Sequence, residues 1–102
     1  MSDLNFKIIE NDNISTIFLN GEIDMSVTEE TKNFIMPIIE QKKEVHLNLK
    51  DVEYMDSSGI SVLIESHQKA LELGTRVVLK EISKSVLKVI MMAKLEQILI
   101  LE

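Results

Sequence analysis

Asp56, Ser57 and Ser58 stand in a row ahead of Gly59 and Ile60, where an extended stretch gives way to a helical pattern. All three are good N-cap types, because a short side-chain oxygen can accept an unpaired N–H at a helix start, a contact worth about 1 kcal/mol. The position also suits a second chemistry. A serine hydroxyl there faces outward among unpaired N–H groups, and a phosphate added to it is held by those groups and by the helix dipole. Such a group brings about −1.5 to −2 charges beside Asp56, and near Glu22 and Asp24 if their loop lies at the same sheet end. A partner docked over this loop would then have to desolvate the new charge or supply Arg or Lys. Glycine inside a helix costs about 1 kcal/mol relative to alanine. Gly59 therefore signals a slim first turn, needed for tight packing or for close approach of another molecule.

Other chemistries find no support in the residues. Hydrolysis would need a base beside the serine, but His46 falls in a strand pattern and His67 lies on a helical apolar stripe, where a packed histidine is expected. The two histidines lack the i, i+4 spacing of a helical zinc site and no carboxylate pattern completes one, so neither a metal nor a cofactor is expected. No Gly-x-x-x-x-Gly-Lys-Ser/Thr occurs, and the Asp-x-x-Gly match at Asp56 to Gly59 is weak evidence for a nucleotide enzyme.

The elements that must position Ser57 are read from periodicity. Phe6 and Ile8 alternate with polar residues, Asn11-Asp12-Asn13 is a turn cluster, and Ile14 to Leu19 is rich in β-branched and aromatic residues, which predicts a hairpin. Ser26 followed by Glu29 matches a capping box and predicts a helix start. Val27, Thr31, Phe34, Ile35, Ile38 and Ile39 follow at near-helical spacing, and Pro37 is expected to kink or end that helix. Val45, Leu47 and Leu49 form a strand pattern, expected inside the sheet. A second helix is predicted from about Ser58 to Leu73, with Ile60, Leu63, Ile64, His67 and Leu71 on its stripe and Gly74 as its C-terminal cap. Arg76 to Leu79 is a short strand. Ser83 can cap a third helix carrying Val86, Leu87, Ile90 and Met91, and Ile98 to Leu101 is a final apolar strand. Of the adjacent Met91 and Met92, one should pack inward and the other outward. The order ββαβαβαβ implies an α/β fold, a mixed sheet made of an N-terminal hairpin plus parallel strands joined by right-handed crossovers, with helices mainly on one face.

Composition narrows the classes further. At 102 residues the chain should be one domain spanning 1–102, and 45% apolar content is enough for a core. A net charge of −6, with three Phe and one Tyr, makes nucleic acid a poor partner. The absence of Cys excludes disulfides and thiolate metal sites. Met1-Ser2-Asp3-Leu4-Asn5 lacks the basic and apolar regions of a signal peptide, and runs such as Val89 to Ala93 are too short to span a bilayer. A soluble cytoplasmic protein without membrane insertion is expected.

Tyr54-Met55-Asp56-Ser57-Ser58-Gly59-Ile60 resembles the phosphorylation segment of bacterial anti-sigma factor antagonists, which are small stand-alone STAS domains. Leu19-Asn20-Gly21-Glu22-Ile23-Asp24 is similar to that family's Gly-Glu-Leu-Asp segment, and Met92-Ala93-Lys94-Leu95 falls where the family has a small residue and Gly before Leu. Lys94 is a departure. So is the end at Glu102, since several relatives continue into a further helix. The resemblance implies a partner switch rather than catalysis. The unmodified chain would bind an anti-sigma factor that is also a serine kinase and so free the sigma factor, phosphorylation would release the antagonist, and a serine phosphatase would reset it. By position the phosphoacceptor is Ser57, with Ser58 second. Asp24 and Asp56 match acidic positions around that serine. The contact surface would comprise Gly21, Glu22, Asp24, Met25, Met55, Asp56, Ser57, Ser58 and Gly59. Met25 and Met55 enter it because thioethers suit adaptable surfaces, although methionine also fills core gaps. The alternative is a STAS accessory subunit of a transporter or signalling assembly, in which the same loop only docks. A weak nucleotide-hydrolysing enzyme is a third option, and it would need turnover abolished by changing Asp24 or Ser57.

Overall fold

The computed structural model describes residues 6–102. Met1 to Asn5, and the reading of them as lacking a signal peptide, lie outside the described residues. The element order is β1 (Lys7–Glu10), β2 (Ile14–Ile23), α1 (Thr28–Ile39), β3 (Glu44–Met55), α2 (Ser57–Glu72), β4 (Val77–Lys80), α3 (Lys84–Met92), a 3₁₀ turn (Leu95–Gln97) and β5 (Ile100–Leu101). The strands form one five-stranded sheet in the order β1-β2-β3-β4-β5. β1 pairs antiparallel with β2, and each later pairing is parallel, as the alternation of strands with helices requires. The predicted α/β architecture, with a hairpin leading into parallel strands, is the one observed. β3 lies at the centre.

Neighbouring registers align Ile17, Leu47 and Leu79 across three strands. These residues join Ile35, Ile38 and Ile39 of α1, Ile60, Val62, Leu63 and Ala70 of α2, and Val86 and Ile90 of α3 in one connected core. Burying one such aliphatic side chain contributes about 1.5–3 kcal/mol, so this shared layer fixes the helices to the sheet. The opposite face carries Thr16, His46 and Asn48, where Glu44 bonds both His46 and Arg76.

Several local expectations are corrected. Helix α1 begins at Thr28 with Val27 at the N-cap and no side-chain cap bond, so the Ser26–Glu29 capping box does not form. The Ser26 hydroxyl is instead spent on donating to Asp24. Nor does Pro37 end the helix, which runs on to Ile39. Asn33, whose carbonyl loses its N–H partner to Pro37, is exposed, so water can satisfy it while Ile38 and Ile39 reach the core. Leu71 is exposed rather than on the buried stripe of α2, and β1 is exposed along its length. Leu87 and Met91 face outward while Val86 and Ile90 are buried, and Met91 and Met92 are both exposed. The last strand is only Ile100–Leu101, because residues 95–97 take a 3₁₀ turn first.

Candidate functional site

β3 continues through Asp51 to Met55, a stretch whose sequence lacks strand alternation. Up to Leu49 every second residue is buried, whereas beyond it Val52 and Met55 are buried three apart. The cause is a pair of register shifts against β2, between Phe18 and Asn20 and between Gly21 and Glu22. Bulges of this kind bend a strand pair and re-aim the side chains that follow. Gly21, at φ 78°, supplies the left-handed conformation there that a side chain would disfavour. The pairing ends with Glu22 beside Tyr54 and Ile23 beside Met55. Two parallel strands thus stop together, and the loop of Gly21, Glu22 and Asp24 lies at the same sheet end as Ser57.

Asp56 joins the two loops. Of the three candidate caps it is the one used: its Oδ1 accepts the N–H of Ser58 at 2.9 Å and of Gly59 at 3.2 Å, and the Ser58 hydroxyl at 2.5 Å. The backbone N–H of Met25 adds a weaker electrostatic contribution to the same carboxylate. These donors, the Ser58 hydroxyl first, hold its pKa below the usual aspartate value, against an opposing effect of partial burial. Asp24 builds the first loop in a similar way, accepting the N–H and hydroxyl of Ser26 at 2.9 and 2.6 Å. Its own carbonyl takes the Val27 N–H and the Thr28 hydroxyl. Met25 is left projecting at 79% exposure.

The two serines therefore differ. Ser58 is half-buried with its hydroxyl committed to Asp56. Ser57 is the first residue of α2, is exposed, and its hydroxyl has no hydrogen-bond partner among the described residues. The Asp56 carboxylate takes the Ser58 and Gly59 N–H groups at the start of α2, and no acidic residue lies inside the first turn itself, so what α2 offers Ser57 is its dipole. Exposed Tyr54, Glu22 and Met25 surround the same end.

Two members of the expected contact surface lie beneath it. Met55 is 2% exposed, because the last pairing of β3 turns its side chain into the core. Gly59 is buried as well, and its open question resolves toward packing. A methyl group there would strike the Met55 side chain and sit 2.5 Å from the backbone carbonyl of Ile23. Gly59 lets the first turn of α2 rest directly on the end of β2. Met25, Glu22 and Ser57 keep an outward position. Sequence reasoning missed Tyr54 as a contact candidate, and the strand register alone would have placed it beside Glu22.

No histidine can act on Ser57. His67 is buried ten positions further along α2, about 15 Å by helical rise. His46 is bonded to Glu44 at the start of β3. Among the described residues no group of His, Asp or Glu is arranged to hold a metal ion.

A parallel-centred sheet, with Asp56 capping α2 at its C-terminal strand ends and helices packed on it, defines a small α/β domain. The STAS domain family matches residues 5–102, and the chain belongs to that family. The anti-sigma-B factor antagonist of Bacillus subtilis (strain 168) is 26% identical over 97 residues, covering 95% of this chain and 89% of the relative. A solved anti-sigma factor antagonist from Mycobacterium paratuberculosis superposes with a TM-score of 0.82 at 22% identity, over 97% of this chain and 85% of the other. The anti-sigma factor antagonist SpoIIAA in its unphosphorylated form gives 0.78 at 22% identity, over 96% and 88%. The Bacillus cell fate determinant SpoIIAA in its phosphorylated form gives 0.73 over 96% and 91%. These superpositions establish a shared fold.

Proposed function

We propose that this chain is an anti-sigma factor antagonist whose binding is gated by phosphorylation of Ser57. The observation that carries the reading is the contrast between the two hydroxyls, one tied to Asp56 and one exposed at a helix N-terminus. The partner is an anti-sigma factor that is also a serine kinase, and a serine phosphatase reverses the modification. In the transfer, Ser57 Oγ loses its proton to a base on the kinase and bonds the γ-phosphorus of ATP, while the bond to ADP breaks. The chain supplies the acceptor and the docking surface, and the catalytic groups belong to the kinase. Ser58 shapes the helix entry through Asp56, and Asp24 with Asp56 positions the two loops against the kinase. This setting is cytoplasmic, and among the described residues no helix is long and apolar enough to cross a membrane.

The gate is electrostatic. The dipole of α2 offsets part of the phosphate's charge within the free chain, while the Ser58 and Gly59 N–H groups stay with Asp56. A partner covering the loop must strip water from about two added negative charges that stand beside Asp56 and close to Glu22, which weakens docking. Family membership and the antagonists among its relatives support this reading.

The test is incubation of the purified chain with the anti-sigma kinase of the same genome and ATP, followed by mass mapping. Ser57→Ala should abolish incorporation, and unchanged incorporation would remove the assignment. Phosphate moving wholly to Ser58 in the wild type would make Ser58 the acceptor. No incorporation with any such kinase would favour the docking subunit of a transporter or signalling assembly.

A further inference from the structure

The strongest unexplained surface is the outward face of α3. Lys84, Leu87, Lys88 and Met91 fall at i, i+3, i+4 and i+7, one stripe along the helix, and all four are exposed. Val86 and Ile90 on the inner side anchor the helix to the core, while Leu87 keeps 37% and Met91 52% of its surface exposed. Met92, at 76% exposure, and Ile98 extend the apolar surface past the helix end. From Ile82 to Lys94 there are three lysines and no carboxylate, in a chain whose net charge is −6. Among the described residues Lys84, Lys88 and Lys94 form no ion pair, as is also true of Lys7, Lys42 and Lys50, but the three on and just after α3 stand together with no carboxylate between them.

The stripe also adjoins the candidate site. The Ser83 hydroxyl donates to the Val52 carbonyl at 2.7 Å and the Ser85 hydroxyl to the Glu53 carbonyl at 2.9 Å. These bonds fix the start of α3 against the late part of β3, beside a groove lined by Gly21, Val52, Glu53, Ser83 and Ser85, so one partner can reach both the Ser57 loop and α3.

We propose that this face is a second docking surface for the same partner protein, and that it takes an acidic amphipathic helix with apolar anchors. The identity of the partner rests on the antagonist reading above. The geometry and charge of its segment rest on the stripe alone. From Lys84 to Met91 the stripe is about 10.5 Å long, close to two helical turns, which suits a helix laid along it. Carboxylates a turn apart on that helix would meet Lys84 and Lys88, and its apolar side chains would cover Leu87 and Met91, whose flexible thioether adapts to them. An anionic membrane fits less well, because a net charge of −6 opposes approach of the whole molecule to such a surface. Because the face lies outside the phosphorylated loop, it gives the kinase a hold that the charge on Ser57 does not directly contest.

The test is the affinity of the purified anti-sigma kinase for three forms of the full chain: the double variant Lys84→Glu/Lys88→Glu, the double variant Leu87→Ser/Met91→Ser, and Ser57→Asp. All the altered side chains are exposed, and thermal melts identical to wild type confirm intact folding. Each α3 variant should bind at least about tenfold more weakly, with the lysine variant losing the salt dependence of the wild type. Unchanged affinity in both α3 variants, with Ser57→Asp still impaired, would overturn the second face and leave the gate standing. Weakening by the α3 variants with no effect at Ser57→Asp would support the face and contradict the gate. Binding of the wild type to phosphatidylglycerol vesicles that both α3 variants abolish, with kinase affinity unaltered, would overturn the protein occupant in favour of a membrane.

Discussion

Asp56 accepts from the Ser58 hydroxyl and from the backbone N–H groups of Ser58 and Gly59, so one carboxylate both caps α2 and fixes the Ser58 side chain. Replacing it with alanine should cost about 1 kcal/mol in chemical denaturation, the usual loss for a removed cap. The sign of its pH effect follows from the lowered pKa. The folded state prefers the ionised form, so the contribution is complete above the unfolded value near 3.8 and disappears as pH falls through the lower folded value. Acid titration of Asp56→Asn, which still accepts hydrogen bonds but does not titrate, should show a shallower loss of stability below about pH 4 than wild type. Gly59→Ala makes the opposite test of intuition. Helix propensity favours alanine by about 1 kcal/mol, but the methyl would meet the Ile23 carbonyl and the Met55 side chain. A net destabilisation of about 1–3 kcal/mol is expected, measured by the denaturation midpoint.

The elements show how far pattern reading reaches. β2, the first part of β3 and α2 were legible because burial follows a fixed period there, and Gly74 marks the end of α2 at φ 77°. The later part of β3 was not legible, since two bulges break the alternation just where the chain approaches the site. Asp56 could be narrowed to three candidate caps but not singled out, because all three residue types cap well and the choice depends on where the extended end of β3 turns into α2. The failed capping box has a local origin: Ser26 is drawn into a turn centred on Asp24 two residues before it. Leu87 and Met91 matched the apolar period of a buried stripe, yet the core takes only Val86 and Ile90 from α3. Lys94, the departure from the family's glycine, forms the turn after α3 all the same, at φ 60°. A side chain in the left-handed region costs about 1–2 kcal/mol, so Lys94→Gly should raise the melting temperature, and no rise would mean that local contacts offset the strain.

At the scale of the whole molecule, the proposed gate sits on a single packed core. A single core ties all three helices to the sheet, and the parallel strands bring two distant loops to one end. The addition of a phosphate should therefore change the surface rather than the fold, and the melting curve of the phosphorylated chain should stay within about 1 kcal/mol of the unmodified one, since the α2 terminus accommodates the charge. Calorimetric titration of the anti-sigma kinase with the chain before and after stoichiometric phosphorylation at Ser57 tests the central claim most directly. The unmodified chain should bind, and the phosphorylated chain should bind at least about tenfold more weakly. Equal affinity for the two forms would contradict the account.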